Sequence, residues 1–290
     1  WGTVDVTMPV ILVAGSDTVS AICLVDYLRQ SGLENKIEVV GVGPVAHDLV
    51  RYSPRAKIAG PLSRLLFFLR CGIADVVMCG GGNMLTDIAS ETLSAGAAFI
   101  ATDAAAARDL EDLSAKNTEE ILIDLQQGKG ILLQDCRKAS AVAAEAALKL
   151  SATRKRAPLQ PQEVAEMAAG CKSAGLCDDA CPNRLAIAEA IEAAARSEFE
   201  LLGEVFDKCN GCGKCEAAAG GEVPVIRLMQ GAARRESGRM RVGRGPIMDT
   251  EIRKVGAPLV LGTIPGVIAM VGGSNYPGSP DDIADIAEEF

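Results

Sequence analysis

Three cysteines stand at equal spacing in the run Cys209-Asn-Gly-Cys212-Gly-Lys-Cys215. Thiolates at this spacing can bind one small inorganic cluster. The run C-x2-C-x2-C-x3-C-P is the one that holds iron–sulfur clusters in bacterial ferredoxins. The fourth cysteine is missing here, because Ala219 occupies its position and Gly220 replaces the proline. The spacing therefore predicts three ligands of an iron–sulfur cluster whose fourth ligand lies elsewhere.

An earlier segment repeats the pattern with a different gap. It reads Cys171-x5-Cys177-x3-Cys181-Pro182, with Ala174 in the place of the second cysteine. In a two-cluster ferredoxin the fourth cysteine of each run binds the cluster of the other run. The earlier run is therefore predicted to complete the ligand set begun by the later one. The predicted ligands of one [4Fe–4S] cluster are Cys181, Cys209, Cys212 and Cys215.

The second cluster of such a pair is predicted to be lost. Its four positions are 171, 174, 177 and 219, and two of these are alanine. Cys171 and Cys177 are then expected to be thiols that remain from a second metal site. The other cysteines, Cys23, Cys71, Cys79 and Cys136, are expected to be small buried hydrophobic residues.

Structural zinc and disulfides are the alternative uses of clustered cysteines. Zinc sites usually combine separated C-x2-C pairs or add histidine, and the single histidine, His47, is far away in sequence. No leader-like segment opens the chain, and no apolar run approaches the roughly 20 residues of a membrane span. A cytoplasmic, reducing setting is therefore expected, in which disulfides are rare. The pattern favours iron–sulfur over zinc, and zinc over disulfides.

Composition narrows the class of protein and its partners. The chain has 290 residues, of which 49% are hydrophobic and only 3% aromatic, as is typical of an α/β protein rich in small aliphatic residues. A formal charge of −9 argues against nucleic acid or an anionic membrane as the main partner. The chain starts at Trp1 and stops at Phe290 just after a helix-like stretch, so we expect it to be part of a longer protein.

The elements that position the cysteines follow two patterns. Residues 1–155 alternate short β-rich runs with helical patterns, which predicts a Rossmann-like parallel sheet. Strands are predicted at 9–14, 37–41, 75–79, 98–102 and 130–134, with helices through about Gln30 and after 134. Gly80-Gly81-Gly82 follows the third of these strands, but it is not a dinucleotide fingerprint.

Residues 156–235 are predicted to form a small α-helical ferredoxin-like iron–sulfur module inserted into the α/β part. A proline- and charge-rich boundary precedes it, and residues 185–207 are expected to be mostly helical. Residues 236–290 return to strand-like runs and are predicted to begin a further or shared α/β domain.

Several stretches resemble the nickel-containing carbon monoxide dehydrogenases, and among them the α-subunit family of the archaeal acetyl-CoA decarbonylase/synthase complex. They are Val39-Val-Gly-Val-Gly43, His47-Asp-Leu-Val-Arg-Tyr52, Gly60-Pro-Leu-Ser-Arg64, Val242-Gly-Arg-Gly-Pro246 and Gly262-Thr-Ile-Pro-Gly-Val-Ile268. The resemblance implies an oxidoreductase that interconverts CO and CO2 at a nickel–iron–sulfur cluster and passes electrons to ferredoxin. It also implies an oligomer within a multi-subunit complex.

The same resemblance implies that the nickel-cluster ligands are missing. Where the family has a histidine and three cysteines, this chain has Ser16, Gly43-Pro44, Asn83 and Gly273. None of these offers an imidazole or a thiolate, which are the ligands that suit nickel and iron. Cys79 would supply one ligand only if the alignment slipped by four residues.

Three functions stay open at this point. The first is an electron-transfer or scaffold segment with one [4Fe–4S] cluster and no CO chemistry, for which no catalytic residue is predicted. The second is an active carbon monoxide dehydrogenase with misaligned ligands. The third is a non-redox module that binds an anion or nucleotide and keeps a structural metal.

Overall fold

The structure, a computed structural model, describes residues 4–81, 87–153, 159–171, 174–220 and 224–236. The chain divides into two compact units, Trp1–Glu236 and Ser237–Phe290, and the first contains all of the described residues. The predicted return to α/β structure after residue 236 therefore lies outside the described residues, as do Asn83 and Gly273.

Six strands form one parallel sheet. They are β1 (Val10–Gly15), β2 (Glu38–Val42), β3 (Lys57–Gly60), β4 (Val76–Gly80), β5 (Ala98–Ala101) and β6 (Ile131–Leu132). The spatial order is β3-β2-β1-β4-β5-β6, and all pairs run parallel. This is the strand order of the doubly wound Rossmann fold. The predicted α/β class with a Rossmann-like parallel sheet is confirmed.

Helices cover the sheet, as continuous apolar strands require. Every residue of β1, β2, β4 and β5 is buried. The helices of this part are α1 (Thr18–Gln30), α2 (Pro44–Tyr52), α3 (Leu65–Arg70), α4 (Ile88–Ser94), α5 (Ala104–Ala107), α6 (Thr118–Gln126) and α7 (Cys136–Thr153). A short 3₁₀ helix, Leu62–Arg64, leads directly into α3.

The two faces of the sheet have separate apolar cores. On one face Ile11 and Val13 of β1 pack with α1, α6 and α7. On the other face Leu12 packs in a core that includes Phe67 of α3 and continues into the later helices, among them Phe206. The segment that carries the clustered cysteines is thus attached to the sheet through a shared core.

The later part of the described chain is helical. Its helices are α8 (Pro161–Ala169), α9 (Ala174–Ala180), α10 (Ile187–Ala195), α11 (Glu200–Lys208), α12 (Lys214–Ala218) and α13 (Val225–Glu236). The stretch predicted as mostly helix over 185–207 is two helices, because the chain turns at Ser197 with φ of 66°. Among the described residues, no helix has the length and apolarity needed to cross a membrane.

Candidate functional site

Six cysteines gather where α8 to α12 meet, and these helices define the candidate site. Cys171 follows α8, Cys177 lies in α9 and Cys181 follows α9. The second run begins where α11 ends, because Cys209 is the C-cap of that helix, and it finishes with Cys215 in α12. The structure therefore places the two cysteine runs, which are about 30 residues apart in sequence, in one region.

A hydrogen bond between the two runs brings Cys181 next to Cys209. Asn183 Nδ2 donates to the carbonyl of Lys208, at 3.2 Å. Asn183 is two residues after Cys181, and Lys208 directly precedes Cys209. The turn after the first run is therefore fastened to the start of the second.

The electrostatics of Cys209 agree with this placement. Burial raises the pKa of the Cys209 thiol, and the neighbouring Cys212 and Cys181 raise it further. Two influences act in the opposite direction, namely the backbone N–H of Gly211 and the guanidinium of Arg64. Gly211 N lies 3.3 Å from Cys209 Sγ, so this amide can stabilise a thiolate. Cys209 thus lies within electrostatic range of Cys212 and Cys181, and it also raises the pKa of Cys215.

Cys215 connects the two halves of the site. Its thiol is buried, and burial together with Glu216, Cys177 and Cys209 raises its pKa to about 12. Cys177 is buried as well, with its pKa raised to about 11 first by burial and then by Cys171. The Cys177 thiol donates to the carbonyl of Cys215, at 3.7 Å. Cys171 and Cys177 therefore lie near each other, and Cys177 faces packed protein whereas Cys171 is half-buried.

The positions without cysteine are packed. Ala174 begins α9 and is 9% exposed, and Ala219 follows α12 and is 5% exposed. Both belong to the core that the helices share with the sheet. Both positions where the predicted second ligand set lacks a cysteine therefore carry buried methyl groups.

The loop of the second run lies directly on α3 of the sheet domain. Gly211 has φ of +74°, and a Cβ there would stand 2.5 Å from Phe67 Cβ. Gly213, with φ of +72°, leaves room for the guanidinium of Arg70, whose Nη1 donates to the Gly211 carbonyl at 2.7 Å. Both glycines are required, since a side chain would meet α3 and would also strain the backbone.

Two arginines before and within α3 hold this loop from the sheet side. Arg64 Nη2 donates to the carbonyl of Phe206 at 2.8 Å, and its guanidinium lies over the rings of Phe67 and Phe206, at 4.8 and 5.3 Å. Arg70 also forms two hydrogen bonds with the Glu91 carboxylate of α4, at 3.0 and 2.7 Å. No sequence pattern marks these residues as part of the site, although Arg64 lies in one of the stretches that carry the family resemblance.

One further carboxylate orders the first run. Asp178 Oδ1 accepts from the backbone N–H groups of Ile187 and Ala188, at 2.6 and 2.8 Å. It therefore caps the start of α10 from the helix that precedes Cys181. The only sequence signal is an acidic residue between two cysteines, which does not reveal the helix it caps.

The sulfurs do not converge on a single point. In the described part of the chain, no group of three or more His, Cys, Asp or Glu side chains is arranged to hold one metal ion. A zinc site needs four ligands at about 2.0–2.3 Å from one atom. In a [4Fe–4S] cluster each thiolate binds a different iron, so the sulfurs stand further apart. The described residues therefore show no ready-made site for a single ion such as zinc.

The edge of the sheet, where the resemblance locates the nickel-cluster ligands, carries different side chains from the cysteine-rich region. Ser16 lies in the turn after β1, and Gly43-Pro44 lies at the start of α2. The N–H groups of Ser16 and Asp17 both donate to the Gly80 carbonyl, at 2.9 Å, and Asp17 Oδ2 accepts from Thr102 Oγ1, at 2.7 Å. Neither turn offers an imidazole or a thiolate, so these residues do not fit a nickel–iron–sulfur cluster.

Cys79 does not supply the missing ligand. It lies inside β4, 2% exposed, and pairs with Ala14 and Ala101 of the neighbouring strands. Burial and then the Asp103 carboxylate raise its pKa to about 12. Its sulfur therefore stays protonated in the apolar core of the sheet. It behaves as the small buried hydrophobic residue that the sequence predicts.

Fold and site together define an α/β protein with a Rossmann-like sheet and an attached helical segment that gathers cysteines from two ferredoxin-type runs. The chain is similar over its whole length to α subunits of the acetyl-CoA decarbonylase/synthase complex. It is 38% identical over 296 residues to the subunit of Methanocaldococcus jannaschii and 38% identical over 300 residues to that of Methanothermobacter thermautotrophicus. Subunit alpha 1 of Methanopyrus kandleri is also 38% identical, over 294 residues.

These relatives confirm the resemblance to that α subunit at the level of sequence similarity. The alignments cover 100%, 100% and 99% of this chain, but only 38%, 38% and 39% of the respective relatives. The chain therefore spans about two fifths of the length of the curated relatives it matches. No protein-family model matches the chain.

Proposed function

We propose that this chain is an iron–sulfur segment of an acetyl-CoA decarbonylase/synthase type α subunit, which transfers electrons or supports their transfer and performs no CO chemistry of its own. One [4Fe–4S] cluster would be bound by the four predicted cysteines, Cys181, Cys209, Cys212 and Cys215. The observation that carries the proposal is the fastening of the two runs by Asn183 and Lys208, which brings Cys181 next to Cys209.

The chain's own residues would serve such a cluster in three ways. Cys181 and the three cysteines of the second run would bind the irons as thiolates. The Gly211 N–H would stabilise the Cys209 sulfur, and hydrogen bonds to cluster sulfurs tune the reduction potential. The Arg64 guanidinium supplies positive charge beside Cys209. A bound cluster would supply one-electron chemistry.

The partners follow from the relatives, whose names assign them to a multi-subunit complex. We expect the chain to work in an oligomer with other subunits of such a complex. Ferredoxin or a similar acidic carrier is the proposed electron partner, and the cytoplasm is the proposed location.

Metal analysis of anaerobically reconstituted chain tests the proposal. We expect about four irons and four sulfides per chain, with no nickel. Cys181→Ser should lose iron to the same extent as Cys212→Ser, although the two residues belong to different runs. Cys171→Ser is the matched control, because it removes an equivalent cysteine of the first run and should leave the iron content unchanged. Stoichiometric zinc without iron, or about eight irons, would refute the proposal.

An active carbon monoxide dehydrogenase is the second candidate, favoured by the similarity to the α subunits. The turns at Ser16 and Gly43-Pro44 argue against it, since they offer no ligand for nickel. We expect no nickel-dependent reduction of a viologen dye by CO in the reconstituted chain. Turnover that requires nickel would establish this function instead.

The module that binds an anion or nucleotide is less well supported. The N–H groups at the β1–α1 turn already donate to the Gly80 carbonyl, and a Cβ at Gly81 would stand 2.5 Å from Ser16 Oγ. Asp17 and Asp103 add negative charge at the same edge, where Asp103 accepts from the N–H of Gly81. The named N–H groups of this edge are therefore already satisfied, and the added negative charge does not favour a phosphate.

A further inference from the structure

Two cysteines outside the cluster-forming runs face each other on the opposite side of the sheet. Cys23 lies in α1 and Cys136 is the first residue of α7, 113 positions later. Their Sγ atoms are 2.6 Å apart. The sequence predicts that both are small buried hydrophobic residues, but both are only half-buried, whereas Cys71 and Cys79 are buried.

The helices that carry this pair are held in place by the core. Ala21 and Leu24 of α1 and Ala139 and Ala143 of α7 are fully buried in one apolar cluster. The two sulfurs are therefore kept together by packing, because neither helix can turn its cysteine away without disturbing that core. Half-buried thiols remain within reach of a small reagent.

The separation of the sulfurs indicates what the pair does. A metal ion between two thiolates stands about 2.3 Å from each sulfur, so two ligands on different sides of it lie well beyond 2.6 Å apart. A disulfide needs a sulfur separation of about 2.05 Å, which a small movement from the present positions would give. The geometry is therefore that of a pair able to bond to each other.

We propose that Cys23 and Cys136 form a redox-active dithiol that closes reversibly to a disulfide and joins α1 to α7. The link would connect the helix after β1 with the helix after β6, and so would fasten the centre of the sheet to its edge. This role is independent of the proposed iron–sulfur function, because none of the six clustered cysteines takes part.

A low-molecular-weight disulfide is the oxidant that would convert the two thiols to a disulfide. The Cys136 thiolate attacks one sulfur of the reagent, a mixed disulfide forms, and one reagent thiolate leaves and takes up a proton. Cys23 then loses its proton and attacks the Cys136 sulfur, which releases the second reagent thiol. Burial, and then the Cys136 sulfur, raise the pKa of Cys23 to about 11, so Cys23 is the resolving thiol. Two protein thiols are oxidised, and one reagent disulfide is reduced to two thiols.

The test treats the anaerobically reconstituted full chain with oxidised glutathione, then blocks remaining thiols with N-ethylmaleimide and maps the peptides by mass spectrometry. We expect the peptides that contain Cys23 and Cys136 to appear joined, and to separate again after reduction. The closed form should melt higher than the reduced form by an amount on the order of 5–10 °C.

Cys23→Ser and Cys136→Ser are the matched variants, and each should abolish both the joined peptide and the rise in melting temperature. Their melting temperatures under reducing conditions report whether the fold is kept. Glutathione retained on both cysteines of the wild-type chain, or no reaction at either, would overturn the proposal. A joined peptide that pairs Cys23 or Cys136 with another cysteine would overturn it as well.

Discussion

Gly211 is the residue that permits the cysteine loop to touch the sheet domain. It combines a positive φ with a contact to the Phe67 backbone that leaves no room for a methyl group. Gly128, at the end of α6, has nearly the same φ, +76°, but nothing within 4 Å of the place where a Cβ would stand. An alanine at Gly128 would therefore report the cost of backbone strain alone, whereas an alanine at Gly211 would report that cost together with the cost of the contact with Phe67.

We expect Gly128→Ala to lower the free energy of unfolding by about 1–2 kcal/mol, the cost of a left-handed conformation for alanine. Gly211→Ala should cost more, because the loop must also move off α3, and it should lower the iron content after reconstitution. Chemical denaturation and iron analysis of both variants are the measurements. Equal losses of stability with normal iron content in both would show that the contact with Phe67 is unimportant.

The alanines at 174 and 219 raise the question whether cysteines at these positions would allow a second cluster to bind. Cys177 is fully buried and its thiol donates to the Cys215 carbonyl, so it faces packed protein. We therefore expect Ala174→Cys with Ala219→Cys to leave the iron content near the wild-type value. A doubling of iron after reconstitution would show that two added cysteine ligands are enough for a second cluster to bind.

At the scale of elements, Arg64 fixes the end of α11. Its guanidinium donates to the carbonyls of Phe206 and Asp207, two of the last acceptors of that helix, at 2.8 and 3.4 Å. It also lies beside the rings of Phe67 and Phe206, at 4.8 and 5.3 Å, and these rings are themselves 4.5 Å apart in an edge-to-face arrangement. Arg196, by contrast, forms one exposed ion pair with Glu198 at 3.3 Å.

Arg64→Met should therefore lower the free energy of unfolding by about 2–3 kcal/mol, since hydrogen bonds from a charged donor and a cation–π contact are lost. Arg196→Met, the control with the same change of side chain, should cost less than about 0.5 kcal/mol because exposed ion pairs contribute little. Urea denaturation gives both values. A similar small loss in the two variants would contradict the assigned role of Arg64.

The sequence predicts elements well where burial is continuous. β1, β2, β4 and β5 are apolar runs, and their observed bounds differ from the predicted ones by one residue or so. The pattern indicates nothing for β3, because this edge strand, Lys57–Gly60, is short and only partly buried. The break at Ser197 is also hidden, since the residue is neither glycine nor proline.

The candidate site is likewise only partly predictable from the sequence. Cysteine spacing alone predicts that the two runs meet and that Cys181 joins the second run, because the spacing matches the ligand pattern of a two-cluster ferredoxin. The residues that hold the loop from the sheet side, Arg64, Phe67 and Arg70, have no local signal. Their partners lie about 140 positions away in sequence, so only the fold brings them together.

At the scale of the whole molecule, buried thiols make the reduced chain sensitive to alkaline pH. Cys71 is 5% exposed, and burial raises its pKa from 9.0 to about 12. The folded state therefore holds this proton more tightly than the unfolded state. Its contribution to stability is complete below pH 9 and is lost as the pH rises toward 12.

We expect the free energy of unfolding of the reduced wild-type chain to fall between pH 9 and 12. The fall should be steeper than in Cys71→Ala by about 1.4 kcal/mol per pH unit, the value for one proton. The packing lost in Cys71→Ala lowers its free energy of unfolding by the same amount at every pH, so it does not change the slope. Parallel curves in that range would show that the Cys71 thiol does not titrate with folding.

The hydrogen bond from Arg70 to the Gly211 carbonyl joins residues 141 positions apart, and this separation bears on the order of assembly. Contacts between distant parts of a chain form late, because the entropy of closing a long loop must be overcome first. The cysteine loop therefore reaches its final shape only after β1 to β4 have folded and α3 is in place. If a newly made chain binds the proposed cluster, it would accordingly do so late, when the sheet that supports the loop already exists.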